Sequence, residues 1–286
     1  MKKCFIISTL VLITLQLSAQ KNLTDVSLFM RSDSTTYLSE KSEASGDLYR
    51  SIGHHGPAVE NEWIGLRLYF DHKAAIDVYN KVKPGLELEG ARWYPTPQQQ
   101  KKGWGADYYK VGSTVGLGGV RLWDGEKVLE LDPVSSRTAR VVKEPTCSYM
   151  EMLSEDVPYK GRKVDILVRV TVFSGEREAK VEAFALTEEP LQFVTGVNYH
   201  DGHKKHIEDG LIATWGLHPE DVAAEVISLG AAIKYNPADF EIEKDDGKQH
   251  LLISKPTKQL STRISSANEK ERVINALKKL VDSMKK

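Results

Sequence analysis

The sequence predicts an all-β protein, a large antiparallel β-sandwich with few short helices and one helix at the C-terminus. Three observations predict it. Val164, Ile166, Val168, Val170 and Val172 alternate with Asp165, Arg169 and Thr171, the period of an antiparallel strand with one buried face. Trp123-Asp124-Gly125-Glu126 is a hairpin signal, because an Asp-Gly pair tolerates the positive φ of a tight turn. No Pro/Ser linker, repeat or low-complexity run divides the chain, so residues 20–286 read as a single domain.

The elements follow in order. Residues 1–19 carry Lys2 and Lys3, an apolar run from Phe5 to Leu17 and a small-residue exit at Ser18-Ala19, the pattern of a cleaved secretory signal. The run is too short for a permanent membrane span, and Cys4 lies ahead of it, too early to be an acylated lipoprotein cysteine. The expectation is a periplasmic or secreted protein with no membrane insertion after signal cleavage. Ala74 to Lys81 and Pro97 to Lys102 read as short helical segments. Strands are expected at Ala179 to Leu186, Leu191 to His200, Leu211 to Trp215, Ala224 to Ile233 and His250 to Ser254. At the C-terminus Ser266 and Glu269 have capping-box spacing and Val273, Leu277, Leu280, Val281 and Met284 form an apolar stripe, predicting a helix over 266–285 that packs on the sandwich.

Charge and cysteine content exclude several classes. The chain has 39 basic and 40 acidic side chains, and loss of Lys2 and Lys3 with the leader leaves a mild acidic excess without a basic stripe, which argues against nucleic acid as a partner. Only Cys147 remains after processing, which excludes an internal disulfide and a cysteine zinc cluster. The run Gly112-Ser113-Thr114-Val115-Gly116-Leu117-Gly118-Gly119 lacks the GxGxxG order, a following helix and a phosphate-loop Lys-Ser/Thr pair, so it is not a nucleotide loop.

The functional signal is concentrated between His54 and Asp71. A turn with two imidazoles and a carboxylate, His54-His55-Gly56-Pro57-Ala58-Val59-Glu60, runs into a period-2 strand with Ile64, Leu66, Leu68 and Phe70 on one face. The other face is expected to carry Asn61, Trp63, Arg67 and Tyr69, an amide, an aromatic plate, a guanidinium and a phenol, which suit a hydroxylated, anionic ring. The plainer readings are a hydrogen-bonded His-His turn, an Arg67 ion pair with a neighbouring strand, and a solvated loop around His200, His203 and His206.

The block from His54 to Asp71 is followed by Ala74-Ala75-Ile76-Asp77-Val78-Tyr79, Trp93-Tyr94-Pro95-Thr96, Gly105-Ala106-Asp107 and Gly118-Gly119-Val120-Arg121-Leu122-Trp123-Asp124-Gly125. In this order, over about residues 46 to 216, the blocks resemble the domain of unknown function 4861 family of exported proteins from carbohydrate-utilising Bacteroidota; the part from about Gln259 looks less like it. The resemblance implies a galactose-mutarotase-like supersandwich whose concave sheet binds sugars. It also implies kinship with an ulvan oligosaccharide dehydratase, which removes water from a terminal uronic acid.

Dehydration of a uronate needs a base for the proton α to the carboxylate, an acid for the departing hydroxyl, and donors for the developing charge. On this reading His54 or His55 and His200 supply base and acid, and Tyr109 assists proton transfer. Arg67 and Asn61 hold the carboxylate, Glu60 orients an imidazole, and Trp63 and Trp104 bind the substrate; in a non-catalytic glycan-binding protein Trp63, Trp93, Trp104 and Tyr69 would be the stacking platforms. A metal bound by His54, His55, Glu60 and His200 lacks a spacing that would fix its geometry, so neither metal nor cofactor is expected. The expected function is a carbon-oxygen lyase that dehydrates, or β-eliminates at, a uronic acid residue of an acidic oligosaccharide. The alternatives are a mutarotase or epimerase on the same fold and a non-catalytic glycan-binding protein.

Overall fold

Alternation turns into strand in eighteen segments of residues 22–286, which, apart from 93, 221 and 222, are described by a computed structural model; the expected signal at 1–19 lies outside the described residues. The first part of the chain forms β1 (Thr24–Ser27), β2 (Glu40–Glu43), β3 (Ala58–Asn61), β4 (Ile64–Leu68) and β5 (Ile76–Asn80). Two short helices follow, α1 (Leu88–Ala91) and α2 (Pro97–Lys101), and then β6 (Arg121–Trp123) and β7 (Val128–Leu129). A meander of long strands comes next, β8 (Ser136–Lys143), β9 (Cys147–Tyr159), β10 (Arg162–Phe173) and β11 (Ala179–Ala185). The remainder is β12 (Phe193–Asn198), β13 (Lys204–Glu208), β14 (Leu211–Leu217), β15 (Ser228–Lys234), β16 (Phe240–Asp245), β17 (Gln249–Ser254), β18 (Gln259–Asn268) and α3 (Leu277–Met284).

Nine antiparallel strands form one layer in the order β13-β14-β15-β18-β11-β10-β9-β8-β2. The second layer has two parts, β1-β3-β4-β5 and β16-β17-β12-β6-β7. Gly116 and Leu117 join them, bridging Ile76 of β5 on one side and Val197 of β12 on the other. The core lies between the layers. Val164, Ile166, Val168, Val170 and Val172 of β10 meet Ile64, Leu66 and Leu68 of β4, Ile76 and Val78 of β5, and Phe193 and Val197 of β12 in one apolar cluster. Because side chains alternate, this leaves Arg67, Asp77, Tyr79 and Asn198 on the far side of the second layer, under the loops that cross it.

Two helix expectations are corrected. Ala74 to Lys81 holds strand β5, not a helix: every residue of the strand is buried, with Ile76, Val78 and Asn80 facing the opposite sheet and Asp77 and Tyr79 facing the crossing loops, so the faces alternate with period 2. The C-terminal helix spans only Leu277–Met284, not 266–285. Ser266 lies in the central strand β18 and its hydroxyl donates to the Gly230 carbonyl at 2.7 Å, so the spacing to Glu269 caps nothing. Val273, expected in the apolar stripe, is 60% exposed, whereas Leu280, Val281 and Met284 pack on Leu211, Ala213, Trp215 and Ala267. The expected hairpin forms at Asp124 to Lys127, and α2 carries a Thr96/Gln99 capping box.

The loops around the early turn are tied to the nine-stranded layer by Arg137 of β8, whose guanidinium is wholly buried. Its Nη1 donates to the carbonyls of Gly46 (2.7 Å) and Asp71, its Nη2 to that of Leu131 and its Nε to Ser154 Oγ at 3.2 Å. Replacing Arg137 with Ala leaves the buried carbonyls of Gly46 and Leu131 unpaired, while that of Asp71 keeps the Ala74 N–H, and is expected to cost about 2 kcal/mol or more in urea denaturation. A loss below about 0.5 kcal/mol, the scale of a surface change, would contradict this role.

Candidate active site

The early turn forces its two histidines apart. His54 and His55 have φ of 54° and 62°, two successive non-glycine residues in the left-handed region, at a cost of roughly 1–2 kcal/mol each. The turn is held by Gly53 N–H on the Phe29 carbonyl (2.7 Å) and by Phe70 N–H on the His55 carbonyl (2.8 Å). Gly56 allows the close crossing that follows, since a Cβ there would stand 1.9 Å from the Leu68 oxygen. His54 turns inward, with Nε2 3.1 Å from Ser27 Oγ and its ring edge-on to Phe29; burial and then the Arg67 charge push its pKa down to about 3.

His55 turns outward. Its Nδ1–H donates to the Tyr49 carbonyl at 2.8 Å, so the neutral ring keeps a lone pair on Nε2, which accepts from the Tyr94 hydroxyl at 2.8 Å. The imidazole is stacked on Tyr49, ring centres 3.9 Å apart, and edge-on to Tyr69. Burial pushes the His55 pKa down to about 4 despite the Tyr49 carbonyl, and burial raises that of Tyr94. At neutral pH the pair is therefore an uncharged base joined to a protonated phenol.

Below the pair lies a buried ion cluster. Arg67 of β4 bridges Asp77 of β5 and Asp107 of the crossing loop, and the Tyr69 hydroxyl donates to Asp77 Oδ2 at 2.7 Å. The Tyr94 ring stands 5.7 Å from the guanidinium carbon. Burial opposes the charge of Arg67, yet Asp107 and Asp77 together hold its pKa above the ordinary value. Two carboxylates already occupy this guanidinium. The adjacent cleft, about 330 Å³, is lined by Tyr49, Arg50, Asp71, His72 and Lys73 among others. Lys73 Nζ stands 5.3 Å from the centre of the Tyr69 ring.

The other expected site residues are distributed more widely. Glu60 shares the outward face but is completely buried, paired with Lys81 and accepting N–H bonds from Glu87 and Leu88 that fix the start of α1. Asn61 points to the opposite layer, donating to the carbonyls of Phe173 (2.9 Å) and Glu176 (2.7 Å), with its oxygen accepting from Trp63 and Ile64. Trp63 stacks on the Arg177 guanidinium at 3.9 Å, at the end of β3 remote from His55. Trp104 packs on Leu88, Ala91 and Tyr79. Trp93 lies outside the described residues.

His200 and Tyr109 belong to a second cluster. The Tyr109 hydroxyl donates to Asn198 Oδ1 and its ring lies 4.6 Å from His218. The Lys110 backbone donates to His218 Nδ1 (3.0 Å) and accepts from His200 Nε2 (3.1 Å), while His203 lies within 5.5 Å of both rings. These imidazoles are lowered in pKa, chiefly by burial, and His200 and His218 line a cleft of about 610 Å³ with Ser113, Tyr199, Asp201 and Lys248. Residues 107–110 connect the two clusters, with Asp107 on Arg67 and Tyr109 on Asn198. The expected convergence of the early turn, Arg67 and His200 is thus divided over two neighbouring sites.

Sequence reasoning passed over Tyr49, Tyr94, Asp77, Asp107 and His218. Tyr94, Asp77 and Asp107 stood in the blocks that carried the family resemblance, the available signal; Tyr49 and His218 carried none. His54, His55, Glu60 and His200 face four different surroundings, and among the described residues no three His, Cys, Asp or Glu side chains are placed to hold a metal ion. Arg67→Ala strands Asp77 and Asp107 without their cation and is expected to destabilise the fold by about 3–5 kcal/mol. Chemical denaturation giving under about 1 kcal/mol would show the triad to be hydrated rather than buried.

Comparison with curated proteins gives no match. Among solved structures the chain is similar to a 4-alpha-glucanotransferase from Thermococcus litoralis at 10% identity and a TM-score of 0.38, over 81% of this chain and 40% of that one. It is also similar to a putative aldose 1-epimerase from Klebsiella pneumoniae subsp. pneumoniae MGH 78578 at 9% identity and a TM-score of 0.40, over 92% and 94%. A third similarity is to a heparan sulfate lyase HepC mutant from Pedobacter heparinus at 10% identity and a TM-score of 0.39, over 74% and 34%. The model of the Domain of unknown function (DUF4861) family matches residues 16–278, and the chain belongs to that family.

Proposed function

We propose that this protein is an exported carbohydrate-active enzyme, a carbon-oxygen lyase that dehydrates, or eliminates at, a uronic acid residue of an acidic oligosaccharide. The observation that carries the reading is the hydrogen bond from the Tyr94 hydroxyl to a His55 ring held in one tautomer by the Tyr49 carbonyl. Tyr94 gives its proton to the hydroxyl leaving C4, which departs as water, and the proton released from C5 returns to the Tyr94–His55 pair. One proton leaves the pair and one comes back, and the sugar loses one water. Because Arg67 is bridged by two buried aspartates at close range, whereas Lys73 has one longer ion pair, to Asp71 at 3.8 Å, Lys73 is the better cation for the uronate carboxylate, with the Tyr49 and Tyr69 rings beside it.

A second reading places the chemistry at His200 and His218, because these titratable rings line the larger cleft. The variants separate the two. With a panel of uronate oligosaccharides, mass spectrometry is expected to show loss of one water with the wild type. Tyr94→Phe and His55→Gln should each lower kcat by about 10²-fold or more, with His200→Gln near wild type. Activity should fall on acidification with a midpoint near pH 4, as protonation of His55 removes its acceptor lone pair. Products of unchanged mass, or a Tyr94→Phe variant at the wild-type rate, would overturn the proposal.

A further inference from the structure

Trp63 is not at the candidate active site, and its surroundings have a chemistry of their own. It stands in the turn between β3 and β4, whereas His55 precedes β3, so the two lie roughly 20 Å apart along the strand. One face of the indole is covered by Arg177, whose guanidinium is 3.9 Å from the ring centre and paired with Glu271. The indole also lines a groove of about 520 Å³ with Val82, Pro84 and Val273 as further apolar wall. That volume falls within the range of small-ligand sites.

The rim of this groove is basic. Lys83, Lys102 and Arg272 are exposed on it and meet no carboxylate among the described residues; Lys83 Nζ donates only to the Lys102 carbonyl, at 3.1 Å. Lys270, also on the rim, is paired with Glu225, and the single acidic lining residue, Glu271, is neutralised by Arg177. An apolar floor with an indole, bordered by unpaired cations, matches a ligand with flat C–H faces and regularly placed negative charges. A polysaccharide bearing carboxylates or sulfates has that description; an uncharged glycan leaves the cations unused, and an apolar peptide leaves them desolvated.

We infer that the groove between Trp63, Lys102 and Arg272 is a second binding site for an anionic polysaccharide, which holds the polymer on the protein apart from the Tyr94–His55 pair. The inference rests on the proposed function only for the class of ligand, and its test reads binding, not turnover. In native affinity electrophoresis with polygalacturonate or dextran sulfate in the gel, the full-length protein is expected to be retarded, and uncharged dextran to have no effect.

The double variant Lys102→Glu/Arg272→Glu, in which both side chains are exposed, should weaken retardation at least fivefold, and Trp63→Ala should do the same. The far-ultraviolet circular dichroism of the double variant should match the wild type, which separates lost binding from lost fold. Retardation unchanged by the double variant, or equal in uncharged dextran, overturns the inference whether or not the enzyme turns over an oligosaccharide. Retardation lost by the double variant supports it even if no lyase product is found.

Discussion

Arg67 sits where two sheet strands and a crossing loop meet, and its two buried ion pairs are the constraint on which the site depends. Asp77 reaches it from β5 and Asp107 from the loop that carries Tyr109 and Lys110 onward to the second cluster. Removing three charges from water costs several kcal/mol per ion, which is repaid only by close geometry and added hydrogen bonds. Tyr69 supplies one of these by donating to Asp77. The arrangement thus tolerates little displacement of β4, β5 or the loop, and it holds the Tyr69 and Tyr94 rings around the guanidinium.

Above this cluster the chain stores strain. Two consecutive left-handed histidines are sustained by hydrogen bonds from the turn backbone and by the close crossing at Gly56. The consequence is a division of labour between neighbours in sequence: His54 is sealed against Ser27 and Phe29, while His55 is presented beside Tyr49 with its Nε2 toward Tyr94. A regular strand would also have sent adjacent side chains to opposite sides, but it would not have given the His55 ring both a carbonyl acceptor on Nδ1 and a phenol donor on Nε2. The same economy is visible at Glu60, where one carboxylate pairs Lys81 and anchors the loop that brings Tyr94 over the sheet.

Much of the fold was legible because alternation reports burial directly. β10 has one face in the core and reads without ambiguity, and Asp124-Gly125 and Thr96 to Gln99 announce their turn and helix by local hydrogen bonding. Ala74 to Lys81 misled because two alanines weigh toward helix while the burial that decides the issue comes from β18 and the core. Ser266 misled because a capping box is a local pattern and β18 is fixed by pairing with β11 and β15. At the site, Arg67 was legible as an ion-pairing or ligand-binding residue, but Asp77 and Asp107 meet it through the sheet and the crossing loop. Parity also failed between Asn61 and Arg67: the turn at 61–64 interrupts the strand, so one points to the opposite layer and the other to the outward face.

The chemistry of the site depends on His55 being a neutral imidazole with hydrogen on Nδ1 and a lone pair on Nε2 directed at Tyr94. Long-range proton–nitrogen correlation of ¹⁵N-histidine-labelled protein near neutral pH reads this tautomer directly. A protonated Nδ1 and an acceptor shift at Nε2 are expected for His55, with the Nε2 shift altered in Tyr94→Phe. An Nε2–H tautomer, or a His55 ring that is already an imidazolium near neutral pH, would contradict this assignment.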